Sequence, residues 1–176
     1  MKQIQLIGLD AALLPSTEEF CRDIGLEVCP GKGIRVRASR GDCLSLKRSA
    51  DEVLVTYRAR NEWFRALTFL PDTLEGGKEI CQTGKYRMLC YMADNSRNAV
   101  YNIQTAKKMI RSLAGMGYTS MMLYTEDTYE LPDYPYFGYM RGRFSAQELR
   151  ELDDYADSFG IELIPCIQTL AHLSTA

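Results

Sequence analysis

The order of apolar and polar residues changes character near the middle of the chain. In the first half, short runs that alternate between the two classes predict strands at residues 1–6, 34–38, 44–47 and 53–57. Turn-forming pairs separate the last three of these runs, which predicts an antiparallel meander.

Two segments of the first half have helical spacing instead. Residues 16–19 have the form of a capping box and predict a short helix that ends at Gly25. A second apolar stripe covers residues 63–70, and we expect Asn61 to cap it and Pro71 to kink or end it. The glycine-containing stretch that follows predicts a linker.

The second half alternates between strand-like and helical patterns. A continuous apolar run predicts a strand buried on both faces at residues 88–92, and we expect a second buried strand at residues 121–124 and a third strand at residues 161–167. Apolar residues at helical spacing predict helices at residues 103–113 and 145–159, and each of them ends at a glycine. This order predicts parallel strands joined by right-handed crossovers.

The connections in this half are unequal in length. Those from helix to strand are minimal, whereas those from strand to helix are long, and in a (β/α)₈ barrel the strand-to-helix loops build the active face. We therefore predict an α/β fold with two domains. Residues 1–83 form a small α+β N-terminal domain with an antiparallel sheet, and residues 84–176 form the first three strands and two helices of an incomplete (β/α)₈ TIM barrel. An open doubly wound sheet is the alternative, and the absence of a glycine-rich phosphate turn after its first strand disfavours it.

Composition excludes several partners. The formal net charge is -2 with no basic cluster, so we expect no nucleic acid partner. No apolar run approaches the roughly 20 residues of a membrane span, and without a recognisable signal peptide we expect a cytoplasmic protein. The 6 cysteines have neither CxxC nor zinc-like spacing, so we expect free thiols, no metal and no cofactor.

Polar residues collect where each predicted barrel strand ends. Asp94 and Arg97 follow the first strand, Glu126 and Asp127 follow the second, and His172 follows the third. Adjacent strands lie about 5 Å apart, so we expect these groups to converge. Asp127 could fix the tautomer of His172, and the guanidinium of Arg97 suits two neighbouring sugar hydroxyls.

Other interpretations of these residues stay open. The carboxylates could cap turns, Arg97 could form a surface ion pair, and His172 could be an ordinary surface residue. A metal-dependent barrel enzyme using Glu126, Asp127 and His172 is a further alternative. Residues 129–144 contain six aromatic side chains, including Tyr129, which could either stack on sugar rings or pack on each other.

The strand ends resemble motifs of glycoside hydrolase family 20. Residues 93–97, Ala-Asp-Asn-Ser-Arg, resemble the family's L-D-x-S-R motif, and residues 170–172, Leu-Ala-His, resemble its P-G-H element. Residues 122–127, Met-Leu-Tyr-Thr-Glu-Asp, stand where many members have W-H-x-x-D-D, without the aromatic residue and the histidine. The N-terminal half also resembles the small domain that precedes the barrel in this family.

The resemblance implies a function and a set of roles. It implies an exo-acting β-N-acetylhexosaminidase that hydrolyses amino-sugar glycosides by substrate-assisted retaining catalysis. Arg97 would grip sugar hydroxyls, with Asp94, Glu126 and Tyr129 as further substrate-binding candidates, while Asp127 and His172 would form a relay towards a catalytic glutamate.

The same resemblance implies what this chain does not contain. The family's catalytic Asp-Glu pair follows a fourth strand, so we expect the 176 residues alone to be inactive. The open edge at residues 161–167 predicts a homo-oligomer. A non-catalytic carbohydrate-binding fragment, another TIM-barrel enzyme and a structural role are the competing functions.

Overall fold

The computed structural model describes residues 1–97 and 99–168, which form two compact units. The first comprises residues 1–87, 114–117 and 158–160, and the second comprises residues 88–113, 118–157 and 161–168. The principal division thus falls between Arg87 and Met88, where the sequence predicted a boundary between residues 83 and 84.

The first unit contains a six-stranded mixed sheet with the strand order β2-β1-β3-β5-β4-β6. The strands are β1 (Lys2–Ile7), β2 (Leu26–Val28), β3 (Ile34–Arg40), β4 (Leu44–Arg48), β5 (Glu52–Tyr57) and β6 (Ile80–Gln82). The helices are α1 (Leu14–Asp23) and α2 (Arg60–Leu74).

The predicted antiparallel meander is wrong, because β3 pairs in parallel with both β1 and β5. Only the second of the two predicted turns forms a hairpin, in which the Ser49 N–H donates to the Glu52 carbonyl at 2.8 Å. At the first turn, the Gly41 N–H donates to the Tyr57 carbonyl and extends the β3–β5 ladder, so the chain crosses to the far side of β5. An alternating pattern specifies a strand and its buried face, but it does not specify the neighbouring strand.

Helix α1 begins two residues before the predicted capping box. The Asp10 carboxylate accepts the Ala12 N–H at 3.0 Å and caps a 3₁₀ turn, Ala11–Leu13, that leads directly into the helix. Ser16 is therefore buried inside α1 instead of capping it. Gly25 ends the helix as predicted, with a φ of 77° that favours glycine.

Helix α2 and the segment after it also depart from the prediction. The helix begins at Arg60, and the Glu62 carboxylate accepts the Arg58 N–H at 2.8 Å, so Asn61 is not the cap. The helix continues through Pro71 to Leu74. The predicted linker contains β6, which pairs antiparallel with β4.

The core of the first unit lies between α2 and the sheet. Its large, fully buried side chains include Trp63, Leu67 and Leu70 of α2 and Ile4 and Leu46 of the sheet. Burial of side chains of this size stabilises a fold by about 1.5–3 kcal/mol each.

One buried polar contact within this core can be tested. The Trp63 indole N–H donates to the Thr17 hydroxyl at 2.9 Å, and both residues are fully buried. Thr17→Val leaves that N–H without an acceptor, so we expect the free energy of unfolding to fall by about 1–3 kcal/mol. The fluorescence of the chain's single tryptophan follows the transition in urea.

Thr73→Val is the matched control, because the equally buried Thr73 hydroxyl donates only to a carbonyl of its own helix, that of Phe69. We expect a smaller loss there, and equal losses in the two variants would contradict the importance of the indole contact.

The second unit contains three parallel strands in the order β7-β8-β9, which confirms the predicted topology. Its elements are β7 (Cys90–Asp94), α3 (Ile103–Met116), β8 (Ser120–Thr125), α4 (Ala146–Ser158) and β9 (Glu162–Ile167). The predicted capping box of α4 is present. The Ser145 N–H and hydroxyl donate to the Glu148 carboxylate, and the Glu148 N–H donates to the Ser145 hydroxyl oxygen.

The register places side chains on two distinct faces of this sheet. Leu123 and Pro165 share one face, where they line a cavity together with Leu149 of α4. Met92 and Met122 share the other face, and Met92 is 57% exposed. The prediction that the first barrel strand is buried on both faces is therefore wrong for the described part of the chain.

Within the described ranges, no helix combines the length and the apolar character that crossing a bilayer requires.

Candidate functional site

Polar side chains from all three strands of the second unit meet at the carboxyl edge of the sheet. The Tyr124 hydroxyl lies 3.3 Å from Oε1 of Glu126 and 3.4 Å from Oε1 of Gln168, and it can donate to either oxygen. Asp94 is the register partner of Tyr124 on β7. We call this group the strand-end rim, and it comprises Asp94, Arg97, Tyr124, Glu126 and Gln168.

The charges of the rim act on one another. Burial raises the pKa of the Tyr124 hydroxyl, the Glu126 carboxylate raises it further, and the Arg97 guanidinium opposes both effects. Tyr124 therefore remains a neutral donor at physiological pH. Hydrogen bonds from Ser96 lower the pKa of Asp94, and the positive charge of Arg97 adds to this effect.

Asp94 shapes the segment that carries Arg97. Its Oδ1 accepts the Ser96 N–H at 2.9 Å and the Ser96 hydroxyl at 2.6 Å, and these hydrogen bonds lower the pKa of Asp94. Asp94 thus makes a turn-capping contact of the kind that the sequence analysis left open as an alternative role. Asp94 remains exposed, so its other oxygen is accessible at the rim.

Asn95 holds the same segment, residues 94–97, through hydrogen bonds of its side chain and its backbone. The residue is fully buried, its side-chain amide donates to the Ala93 carbonyl at 3.1 Å, and its Oδ1 accepts the Tyr101 N–H at 2.9 Å. Its backbone N–H donates to the Tyr124 carbonyl at 2.9 Å and joins the segment to β8. The backbone before Arg97 is therefore held on both sides.

Asp127 lies next to the rim with a side chain that is only 16% exposed. The nearest described cation is Arg141, at 3.5 Å from Oδ1. That Oδ1 is buried and makes no hydrogen bond with any residue in the described ranges. His172, the partner expected from the sequence, lies outside the described residues.

Arg141 connects the long loop between β8 and α4 to the segment that carries Arg97. Its guanidinium donates to the Ser96 carbonyl and lies 3.4 Å from the Arg97 carbonyl, in addition to its contact with Asp127. Gly138 allows this close packing, because it has a φ of 64° and an added Cβ would collide with the Asp127 carbonyl. In the sequence, only its place in an aromatic loop distinguishes Arg141 from other arginines.

The structure does not bring Tyr129 to the rim. Its ring packs against Phe137 with the centroids 5.2 Å apart, and it lines a cavity of about 360 Å³ together with Leu123 and Pro165. Those two side chains are on the opposite face of the sheet from Tyr124, since alternate residues of a strand point to opposite faces. Tyr129 therefore lies apart from the rim, and its substrate-binding role stays a prediction.

The remaining aromatic residues of this loop divide into two sets. Phe144 is buried at 2% exposure, whereas Tyr134, Tyr136 and Tyr139 are 66%, 83% and 64% exposed. The rings of Tyr136 and Tyr139 meet edge to face at 6.2 Å. The loop thus packs on part of its own aromatic content and presents the rest, which we call the tyrosine patch: Tyr134, Tyr136 and Tyr139.

In residues 1–97 and 99–168, no cluster of three or more histidine, cysteine, aspartate or glutamate side chains is arranged to hold a metal ion. The rim instead offers hydroxyl, amide, carboxylate and guanidinium groups. Such a set matches a ligand rich in hydroxyl groups.

Comparison with solved structures finds a similar fold in several glycoside hydrolases. The Vibrio harveyi exo-β-N-acetylglucosaminidase of glycoside hydrolase family 20 has a TM-score of 0.71 at 15% identity, over 93% of this chain and 32% of its own. The Streptomyces plicatus β-hexosaminidase has a TM-score of 0.68 at 19% identity, over 93% of this chain and 41% of its own. The fold is that of the N-terminal part of family 20 hexosaminidases. It confirms the predicted α/β class, a small α+β unit followed by the opening strands and helices of a TIM barrel.

The likeness extends beyond one family. A family 138 enzyme targeting pectin rhamnogalacturonan II has a TM-score of 0.63 at 12% identity, over 96% of this chain. The chain spans only about a third of the length of these structures, from 31% to 41%. No model of a known protein family matches the sequence, and no curated protein matches it either.

The role of Arg141 can be tested without a ligand. Arg141→Ala removes the charge-assisted hydrogen bonds that hold the backbone of Ser96 and Arg97, contacts worth about 1.5–3 kcal/mol. We expect hydrogen exchange in residues 94–97, measured by mass spectrometry, to become at least about ten-fold faster.

Arg143→Ala is the matched control, because among the described residues the Arg143 guanidinium donates to the Pro135 and Phe137 carbonyls within the loop. This variant should loosen the loop and leave residues 94–97 protected. Equal protection of residues 94–97 in the Arg141 variant and the unchanged protein would contradict the role of Arg141.

Proposed function

We propose that this chain is the N-terminal third of an exo-acting β-N-acetylhexosaminidase, and that its strand-end rim binds the terminal N-acetylated amino sugar. The observation that carries the proposal is the meeting of Tyr124, Glu126 and Gln168 at the carboxyl edge of a parallel sheet, where the exposed Arg97 follows β7. The family 20 fold supports it, because active sites of TIM barrels lie at this edge.

Each rim residue has a distinct part in this proposal. Arg97 donates from its planar guanidinium to two neighbouring sugar hydroxyls, while Glu126 accepts from a hydroxyl. Tyr124 donates as a neutral phenol, since its raised pKa keeps the proton in place. Asp94 holds the Arg97 segment through Ser96 and offers its second oxygen to the ligand.

The second part of the proposal is a hydrogen-bond relay from Asp127 towards the catalytic glutamate. Its buried Oδ1 has no hydrogen-bond donor among the described residues, and a buried carboxylate oxygen without a donor is costly. The His172 imidazole is the donor that we propose, with its other nitrogen oriented towards a catalytic glutamate. In this mechanism the acetamido oxygen of the substrate attacks the anomeric carbon, and that glutamate, following a fourth strand, acts as acid and then base.

A turnover assay tests whether the chain lacks hydrolytic activity of its own. We expect the 176-residue chain to release no chromophore from a chromogenic N-acetylglucosaminide, because Asp94 and Glu126 have binding roles in this proposal and the glutamate that acts as acid and base follows a fourth strand. A full-length hexosaminidase of family 20 is the positive control.

A sugar titration accompanies this assay. N-acetylglucosamine should perturb the amide resonances of residues 94–97 and 124–127, and Arg97→Ala should weaken binding at least about ten-fold, the loss of about 1.4 kcal/mol. Arg150→Ala is the control, since Arg150 is an exposed arginine of α4 away from the rim. Robust hydrolysis by the chain, or no perturbation at the rim, would contradict the proposal.

A non-catalytic carbohydrate-binding role is the second candidate. The exposed tyrosine patch favours it, because tyrosine rings stack on the apolar faces of sugars. Replacement of Tyr136 and Tyr139 by alanine separates the two functions in the same titration. The second candidate requires that binding depends on the patch, and the first requires that it depends on Arg97.

We also propose that the chain associates with itself through β9. In the described residues β9 pairs only with β8, so its outer backbone groups are free of a strand partner, and Ile167 is 45% exposed. Unpaired strand edges favour association. Light scattering should therefore report a dimer or a larger assembly, and a monomer over the micromolar range would contradict this proposal.

A further inference from the structure

Two cysteines of the first unit lie side by side on its sheet. The sulfur atoms of Cys43 and Cys81 are 3.9 Å apart, although 38 positions separate the residues along the chain. Both are free thiols, Cys81 is exposed and Cys43 is half-buried. A disulfide needs its sulfur atoms about 2 Å apart, so the two sulfur atoms must approach each other further before they can bond.

The sheet itself produces this proximity. Cys81 is the middle residue of β6 and pairs with Ser45 of β4, while Cys43 comes immediately before β4. The backbone of Cys43 is fixed as well, because its carbonyl accepts the Thr56 hydroxyl at 3.0 Å. The pair is therefore held by the β4–β6 ladder and by β5 rather than by a chance approach of mobile side chains.

We propose that Cys43 and Cys81 form a reversible oxidation site, at which a small disulfide oxidant converts the two thiols into an intramolecular disulfide that fastens β6 to β4. The proposal is independent of the carbohydrate function, since neither residue belongs to the strand-end rim.

The chemistry balances with glutathione disulfide as the oxidant. The Cys81 thiolate attacks one sulfur of the oxidant, which forms a mixed disulfide and expels one glutathione thiolate. Cys43 then loses its proton and attacks the Cys81 sulfur, which expels the second glutathione. Two protein thiols are oxidised, and one glutathione disulfide is reduced to two thiols.

The order of attack follows from the environment of each sulfur. The hydrogen bond with Cys81 raises the pKa of the Cys43 thiol, and burial adds to this effect, so Cys43 is held in its protonated form at rest. Cys81 is the more exposed sulfur, so the oxidant reaches it first. Cys21 of the same unit is a poor substitute in this role, because it is buried and burial raises its pKa to about 12.

The disulfide would act on a short strand at one edge of the sheet. β6 has three residues, lies at the edge and pairs only with β4 among the described strands. A bond between Cys43 and Cys81 closes a covalent loop around β5 and α2, which restricts the unfolded chain. Oxidation would therefore stabilise the first unit, and reduction would release β6.

The experiment treats the 176-residue chain with glutathione disulfide at low protein concentration and identifies linked peptides by mass spectrometry after digestion without reductant. We expect one intramolecular link, between the peptides that contain Cys43 and Cys81. Cys43→Ser and Cys81→Ser should each abolish this link. Cys29→Ser should retain it, because Cys29 is a half-buried thiol of the same unit outside the pair.

Thermal unfolding tests whether the disulfide between β6 and β4 stabilises the protein. The oxidised protein should melt about 5 °C or more above its reduced form, and dithiothreitol should reverse the difference. The Cys43→Ser variant, treated in the same way, should show no shift. Separate glutathione adducts on the two cysteines, links to other cysteines or between chains, or the absence of a melting shift would overturn the proposal.

Discussion

Parallel pairing of β7, β8 and β9 is the constraint on which the proposed site depends. Because the three strands run in the same direction, their carboxyl ends lie at one edge, and whatever polar residues follow them meet there. The contacts of the Tyr124 hydroxyl with Glu126 and Gln168 result from this geometry. An antiparallel arrangement of the same segments would send these side chains to opposite ends of the sheet.

The rim also depends on hydrogen bonds outside the sheet, because residues beyond the end of a strand are not held by its ladder. The buried amide of Asn95 makes such bonds within the segment that carries Arg97, and the guanidinium of Arg141 makes one from the loop before α4. Both act on the backbone and leave the Arg97 side chain available for a ligand. The exposed half of the same loop, the tyrosine patch, adds apolar surface suited to a sugar.

The sequence predicted what depends on local pattern and missed what depends on distant partners. Helical spacing and a capping box located α4, and apolar runs located the three parallel strands. The neighbours of β3 could not be predicted, because alternation leaves the choice of partner to the packing of the whole sheet. For the same reason the sequence indicated neither the approach of Cys43 to Cys81 nor the link from Arg141 to Ser96, and it did not indicate that Tyr129 lines a cavity with Leu123 and Pro165.

A crystal structure of the chain soaked with N-acetylglucosamine tests the central claim most directly, because it locates the sugar and the rim together. The account predicts a sugar ring at the carboxyl edge of β7 and β8, with two of its hydroxyls within hydrogen-bond distance of the Arg97 guanidinium. A sugar bound elsewhere, or an Arg97 side chain directed away from Tyr124 and Glu126, would contradict it.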